Sequence, residues 1–163
     1  MRMSQSGPTA AEILNSFSES ALELILRGFG EEKFSRRIAE EIVRRREVKP
    51  FETTTDLVEA VLAVKPRSWR DKIHPVTKTF QALRIAVNEE LSALEEGLEK
   101  AYEILKPGGR LAVISFHSLE DRMVKNFAKR IMGKAEKPIT ASEEEISENP
   151  RARSAKLRII KKL

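Results

Sequence analysis

The sequence predicts an α/β chain that is predominantly helical, and three observations carry the prediction. Apolar residues recur every third or fourth position over most of residues 9–105. Arg110 to Phe116 is a nearly continuous apolar run of strand length behind Pro107-Gly108-Gly109, and Lys156 to Leu163 has the character of a terminal strand. A long helix, a Pro-Gly-Gly stop and a strand apolar on both faces form the pattern of an α/β crossover feeding a central strand of a mostly parallel sheet.

Each element has a local reason. Ser6 to Glu12 reads as a helix start, with Thr9 and Glu12 spaced for a capping box, and a short helix follows to about Asn15. Ser18 caps a second helix, whose face holds Leu22, Ile25, Leu26 and Phe29 and whose stop is supplied by Gly28 and Gly30. Phe34, Ile38 and Ile42 predict a third helix over about 31–47. Thr53-Thr54-Thr55 offers a cap for a fourth, with Leu57, Val58, Val61 and Leu62 as its stripe, ending before Pro66. Lys65 to Pro75 holds two prolines, the single tryptophan and five charged residues, and reads as a loop. From Pro75 a long helical stretch carries Phe80, Leu83, Ile85 and Val87, then Leu91, Leu94, Leu98, Tyr102 and Leu105, with a break expected near Asn88. A helix over about 118–131 would bury Met123, Phe127 and Ile131, and Ser142 to Glu148 forms a short acidic helix or loop.

Composition bounds the function. The chain has 163 residues, enough for one domain's core, no cysteine and only two histidines, so thiolate and histidine metal cages and disulfides are excluded. No run of eighteen apolar residues is present, which predicts a soluble cytoplasmic protein with no membrane partner. A net charge of +5 favours an acidic partner such as RNA, although with 34% charged residues most cations are solvated helix faces.

Three constellations hold candidate chemistry. Ser115 to Arg122 sits where a strand ends and a helix begins, the place where open α/β sheets collect ligands, and makes His117, Ser118 and Asp121 pocket candidates. The plainer reading pairs Ser118 with Asp121 as a helix cap. His117 suits proton acceptance, and equally a structural hydrogen bond. His74 to Arg84 opens a helix with Lys78, Gln81 and Arg84 near its positive end, suited to phosphate. Arg151, Arg153 and Lys156 place three cations within six residues, suited to an RNA backbone or to an exposed turn. Arg122 joins these as a substrate candidate. Arg44-Arg45-Arg46 point in different directions and form no single patch. Pro107-Gly108-Gly109 stands between helix and strand, the reverse of the order a cofactor-binding glycine loop requires.

Met1 to Met3 with Gly7 to Glu12, His74 to Arg84, Pro107 to Arg122 and Pro150 to Arg158 together resemble one family over essentially the whole chain. It is the bacterial small-subunit ribosomal RNA (cytosine-N4)-methyltransferase family, MraW or RsmH. The resemblance implies the trailing part of a class I Rossmann-like methyltransferase sheet with a mostly helical insertion. Residues 1–8 would be a remnant of the methyltransferase domain, 9–65 the insertion, its end lying as far as about 74, and 75–163 the carboxyl-terminal part of the Rossmann-like domain. It also implies S-adenosylmethionine as cofactor and 16S rRNA in the small ribosomal subunit as partner. The family's Gly-Gly-His loop, acidic ribose-binding residue and Asp-Leu-Gly-Val-Ser-Ser strand end have no counterpart in this chain, so no cofactor-binding residue carries over, and Ser4 stands where the family has aspartate.

These expectations describe a fragment inactive alone, with no catalytic residue assigned, no metal, and exposed sheet edges that favour self-association or pairing with a missing amino-terminal half. The alternative is a non-catalytic RNA-binding or ribosome-associated module.

Overall fold

A computed structural model describes residues 1–3, 7–71, 73–132 and 135–163. Ser4 and Ser6, which entered the sequence reading, lie outside them. The chain packs as two compact units, Met1–Glu90 and Leu91–Leu163.

The first unit is helical. Helix α1 (Ala10–Ser16) starts on the expected box: Thr9 Oγ1 accepts from the Glu12 amide at 3.1 Å and Glu12 Oε2 accepts from the Thr9 amide at 2.6 Å. Helices α2 (Glu19–Gly30), α3 (Ser35–Arg46) and α4 (Thr54–Val64) follow. Ser18 caps α2 as expected, but Gly28 lies inside that helix, and the left-handed residue that ends it is Glu31, φ 47°. Gly30 serves packing instead, since a Cβ there would stand 2.7 Å from the Lys78 carbonyl oxygen. Helix α5 (Thr77–Asn88) therefore lies tightly on α2, and the compact unit runs to Glu90, beyond the end at 65 to 74 drawn for the helical insertion. Leu22, Leu26, Ile38, Ile42, Val61 and Leu83 fill the core at 0–2% exposure.

Side-chain amides close this unit where the chain is extended. Asn15 accepts from the Phe51 amide at 2.8 Å and donates to the Phe51 carbonyl at 2.9 Å, pairing as a peptide group would. Asn88 does the same for the chain's start, accepting from the Met3 amide and donating to the Met1 carbonyl. Thr53 and Asp56 form a second capping box, and the Thr53 amide and hydroxyl hold the Asp56 carboxyl far below the usual carboxylate range. Thr53→Ala should lower the unfolding free energy by about 1 kcal/mol, and Thr53→Ser by much less, read from urea midpoints at constant slope.

Helix α5 ends where a break was expected: Glu89 takes a left-handed conformation, φ 49°, and α6 (Glu90–Ile104) begins at the next residue. The second unit continues through β1 (Arg110–Ser115), α7 (Ser118–Met132), β2 (Ile139–Thr140), α8 (Glu143–Glu148), a 3-10 turn at Pro150–Ser154, and β3 (Lys156–Lys161).

The sheet corrects the expected direction. Its order is β1-β3-β2, and β3 runs antiparallel to both neighbours, so the described sheet has no parallel pair. The reason lies in the connection: β2 runs the same way as β1 with α7 between them, but α8 and the 3-10 turn then reverse the chain. Strand β3 enters between them, with Lys156 opposite both Ser115 and Thr140. Packed on the helix-facing side are Leu111, Val113 and Ile160, with Leu98, Val124 and Phe127. The other side carries Ala112, Ile114, Leu157, Ile159 and Ile139, of which Ile114 is 59% and Ile139 57% exposed. Strand β1 is thus apolar on both faces as read, yet covered on one. Among the described residues no helix is long and apolar enough to cross a membrane.

Candidate functional site

The corner after β1 is built by one carboxylate. Glu120 Oε2 accepts from the Phe116 amide at 2.8 Å and the His117 amide at 3.2 Å, while His117 Nδ1 accepts from the Glu120 amide at 3.4 Å. This is a reciprocal helix cap with His117 at the N-cap and Glu120 three residues on. The expected Ser118–Asp121 cap is corrected by one residue. Because Nδ1 accepts, the neutral imidazole carries its proton on Nε2. That atom is buried, 3.3 Å from Glu120 Oε1 and out of hydrogen-bond alignment with it. Ser115 Oγ, at the strand end, is likewise buried without a partner. The imidazole is thus a part of the corner's frame, with Nε2 buried and Nδ1 accepting from the Glu120 amide.

Asp121 is committed elsewhere. Its carboxylate accepts from Arg158 Nε at 2.7 Å and from Lys156 Nζ at 3.3 Å, joining α7 to β3. The Arg158 guanidinium, which also donates to the Glu136 carbonyl at 2.7 Å, holds the Asp121 carboxyl below its ordinary range against the opposing effect of burial. Sequence reasoning missed Glu120 and Arg158. The signal for the first was present in the His117-x-x-Glu120 spacing; the second shows no local signal, since its partner lies 37 residues away.

Arg151 and Arg153 are exposed on either side of buried Ala152. Their turn leads into Lys156, opposite Ser115, which puts both cations at the same end of the sheet as His117. Ser118 opens α7 at this end, and Arg122 borders a cleft of about 430 Å³ between α6 and α7, floored by Leu98, Leu119 and Phe127.

The second constellation is taken up inside the helical unit. Lys78 Nζ donates to the Glu31 carbonyl at 2.9 Å and Gln81 Nε2 to the Phe29 carbonyl at 3.3 Å, so both serve the end of α2. Arg84 grips Glu90 with two bonds of 2.8 and 2.9 Å. His74 Nδ1 accepts from the Val76 amide at 3.5 Å. Of the three arginines of α3, Arg44 and Arg45 converge on Glu41, contrary to the expected divergence, whereas Arg46 turns away and donates to the Leu14 and Phe17 carbonyls that end α1. The Arg44 guanidinium lowers the Glu41 carboxyl to about 2.

Gly108 (φ 80°) donates to the Lys162 carbonyl at 2.9 Å, and a Cβ on Gly109 would stand 2.8 Å from the Lys106 carbonyl oxygen. Gly109, whose amide donates to the Lys106 carbonyl, closes the α6–β1 turn, and Gly108 ties that turn to the end of β3, at the end of β1 opposite His117. No group of three or more metal-ligating side chains occurs among the described residues.

The family model for the MraW methylase family matches residues 1–163. The chain belongs to the MraW methylase family. Curated members of similar sequence are named ribosomal RNA small subunit methyltransferase H. One, from Deinococcus deserti, is 52% identical over 161 residues, covering 97% of this chain and 53% of its own length. Those from Pelobacter propionicus and Carboxydothermus hydrogenoformans are each 47% identical, covering all of this chain and 59% and 60% of their own lengths. This MraW-family chain therefore spans little more than half the length of these relatives.

Proposed function

We propose that this chain is the carboxyl-terminal portion of an enzyme that transfers a methyl group from S-adenosylmethionine to N4 of a cytosine in the decoding region of 16S rRNA. The observation that carries this reading is the match of the whole chain to the MraW methylase family at 47–52% identity to named ribosomal RNA methyltransferases. The cofactor supplies the methyl group, and its seat is assigned to no residue of this chain. Residues 1–8 and 75–163 belong in this proposal to the Rossmann-like domain and 9 to about 65–74 to its insertion. The bare sheet face and the single-sided edge of β1 are the surfaces the rest of the enzyme covers, or on which the isolated chain self-associates in the cytoplasm.

The chemistry sets the tasks. A cytosine amine is a weak nucleophile because its lone pair is delocalised into the ring, so the enzyme must unstack the base, hold its nitrogen in line and remove a proton. The corner after β1 is suited to holding. In this reading His117, Ser118 and Asp121 border the target pocket as positioning residues, His117 through its cap and Asp121 through Arg158. Arg151 and Arg153 contact RNA phosphates, with Lys156 and Arg122 beside them; His74, Lys78, Gln81 and Arg84 support the RNA-facing surface from within the helical unit.

The test is a chimera joining this chain to the part of the Deinococcus deserti protein that the match leaves uncovered, assayed for tritiated methyl transfer to 16S rRNA. Transfer to cytosine N4 is expected, with none by the chain alone; absence of transfer by a folded chimera rejects the reading. Within it, His117→Asn keeps the cap acceptor and should retain activity within about tenfold, while His117→Ala loses more. A loss beyond about 100-fold in His117→Asn would instead make the imidazole a proton-transfer group.

A further inference from the structure

The loop after α4 carries a feature that the strand-end corner does not explain. Trp69 is the only tryptophan of the chain and is 87% exposed. An indole is among the largest apolar groups a protein can bury, and leaving it in water on an ordered turn is unusual without a use. The turn is ordered by its own bonds: Ser68 donates its amide to Asp71 Oδ2 at 2.8 Å, Asp71 donates its amide to the Ser68 carbonyl at 3.1 Å, and Arg70 donates its amide to Ser68 Oγ at 3.3 Å. The only acid among residues 65–71 is consequently engaged by the turn itself.

Charge decides the kind of partner. The Arg70 guanidinium carbon lies 4.9 Å from the centroid of the Trp69 ring, and Trp69 as a whole stays 87% exposed. Arg67 stands two residues away and is exposed, whereas the nearby Lys65 is held by Glu32 at 3.2 Å and lies over the Phe34 ring. An exposed aromatic ring with one guanidinium beside it and a second exposed arginine two residues away in the chain meets both needs of a single-stranded nucleotide, a stacked base and a neutralised backbone. We propose that the turn Arg67–Asp71 is an RNA-binding site in which an unpaired base stacks on Trp69 and Arg67 and Arg70 hold the flanking phosphates. It does not depend on the proposed methyl-transfer reaction.

Because Trp69 is the sole tryptophan, its emission reports on this turn alone. Titration of the chain with a twelve-residue oligouridylate should quench that emission saturably, and a duplex of the same length should quench it far less. Trp69→Ala should weaken binding of the labelled oligonucleotide by about 5- to 100-fold, measured by anisotropy, while Trp69→Phe retains most of it. Removing Arg67 or Arg70 should flatten the dependence of log affinity on log salt by about 0.7 each. Oligonucleotide binding with unchanged emission, wild-type affinity in Trp69→Ala, or equal quenching by heparin would overturn the assignment. Quenching by an apolar peptide but not by RNA would overturn it in favour of a protein-docking turn. Failure of methyl transfer in the chimera would leave the quenching intact, so the two proposals fail separately.

Discussion

Replacing Asp121 with alanine should cost the unit Leu91–Leu163 about 3–5 kcal/mol, because it leaves the Arg158 guanidinium buried without its anion. The Arg158 side chain is 8% exposed and that of Asp121 13%, so water cannot take over the pairing. Lys156, at 43% side-chain exposure, adds little to the sum. Hydrogen exchange at the Val113 and Arg158 amides, which lie opposite each other across β1 and β3, reports this unit separately from the helical one. A loss below about 1 kcal/mol would mean that this ion pair is not what holds α7 to the sheet. The double replacement Asp121→Leu with Arg158→Met should recover much of the loss, since a well-packed apolar pair substitutes for a buried ion pair at little cost.

The same pair gives a pH signature with a definite sign. Arg158 depresses the folded-state pKa of Asp121, so the folded protein holds this carboxylate ionised more strongly than the unfolded chain does, whose aspartates titrate near about 4. The stabilisation is fully present above about pH 4 and is lost as pH falls below it toward the folded value. The gap between wild type and Asp121→Ala should therefore be constant near neutrality and shrink below about pH 4. Glu41, with its carboxyl lowered from 4.5 to about 2, weakens the helical unit over the same acid range, which is why exchange at named amides is needed.

This pair also explains where the sequence was legible and where it was not. Local signals were read correctly: Thr9 with Glu12, the cap at Ser18, the break at Asn88, the strand behind Pro107-Gly108-Gly109. Each is decided within about four residues. The cap of α7 was not decidable that way, because His117 precedes Glu120 and Ser118 precedes Asp121 by the same three residues, and both spacings satisfy a capping box. The tie is broken by Arg158 and Lys156, which draw Asp121 onto β3. Strand direction failed for a related reason. An apolar run reads the same in either direction, and only the chain reversal through α8 and the Pro150–Ser154 turn makes β3 antiparallel. Lys78, Gln81 and Arg84 look like phosphate ligands when only the start of their helix is in view. Their partners at Phe29, Glu31 and Glu90 are revealed by packing.

Gly28 and Gly30 carry the sharpest test of that distinction, since both looked like helix stops and the structure gives them opposite consequences. Gly30→Ala should destabilise the helical unit by about 1–3 kcal/mol: the new methyl would meet the Lys78 carbonyl oxygen at 2.7 Å and the Ala82 Cβ at 3.2 Å. The first of these is backbone within α5, so relief requires the helices to separate, drawing Lys78 and Gln81 away from the carbonyls of α2. Gly28→Ala meets nothing within 4 Å and replaces a flexible residue inside a helix, so it should stabilise by about 0.5–1 kcal/mol. In thermal melts followed by circular dichroism, the two variants should fall on opposite sides of wild type, with about 4–8 °C of shift per kcal/mol for a unit of this size. A Gly30→Ala protein at least as stable as wild type would show that α2 and α5 are not in close backbone contact. The sign, more than the size, is informative: helix propensity favours alanine at both positions, so only a tertiary clash can make one of them unfavourable.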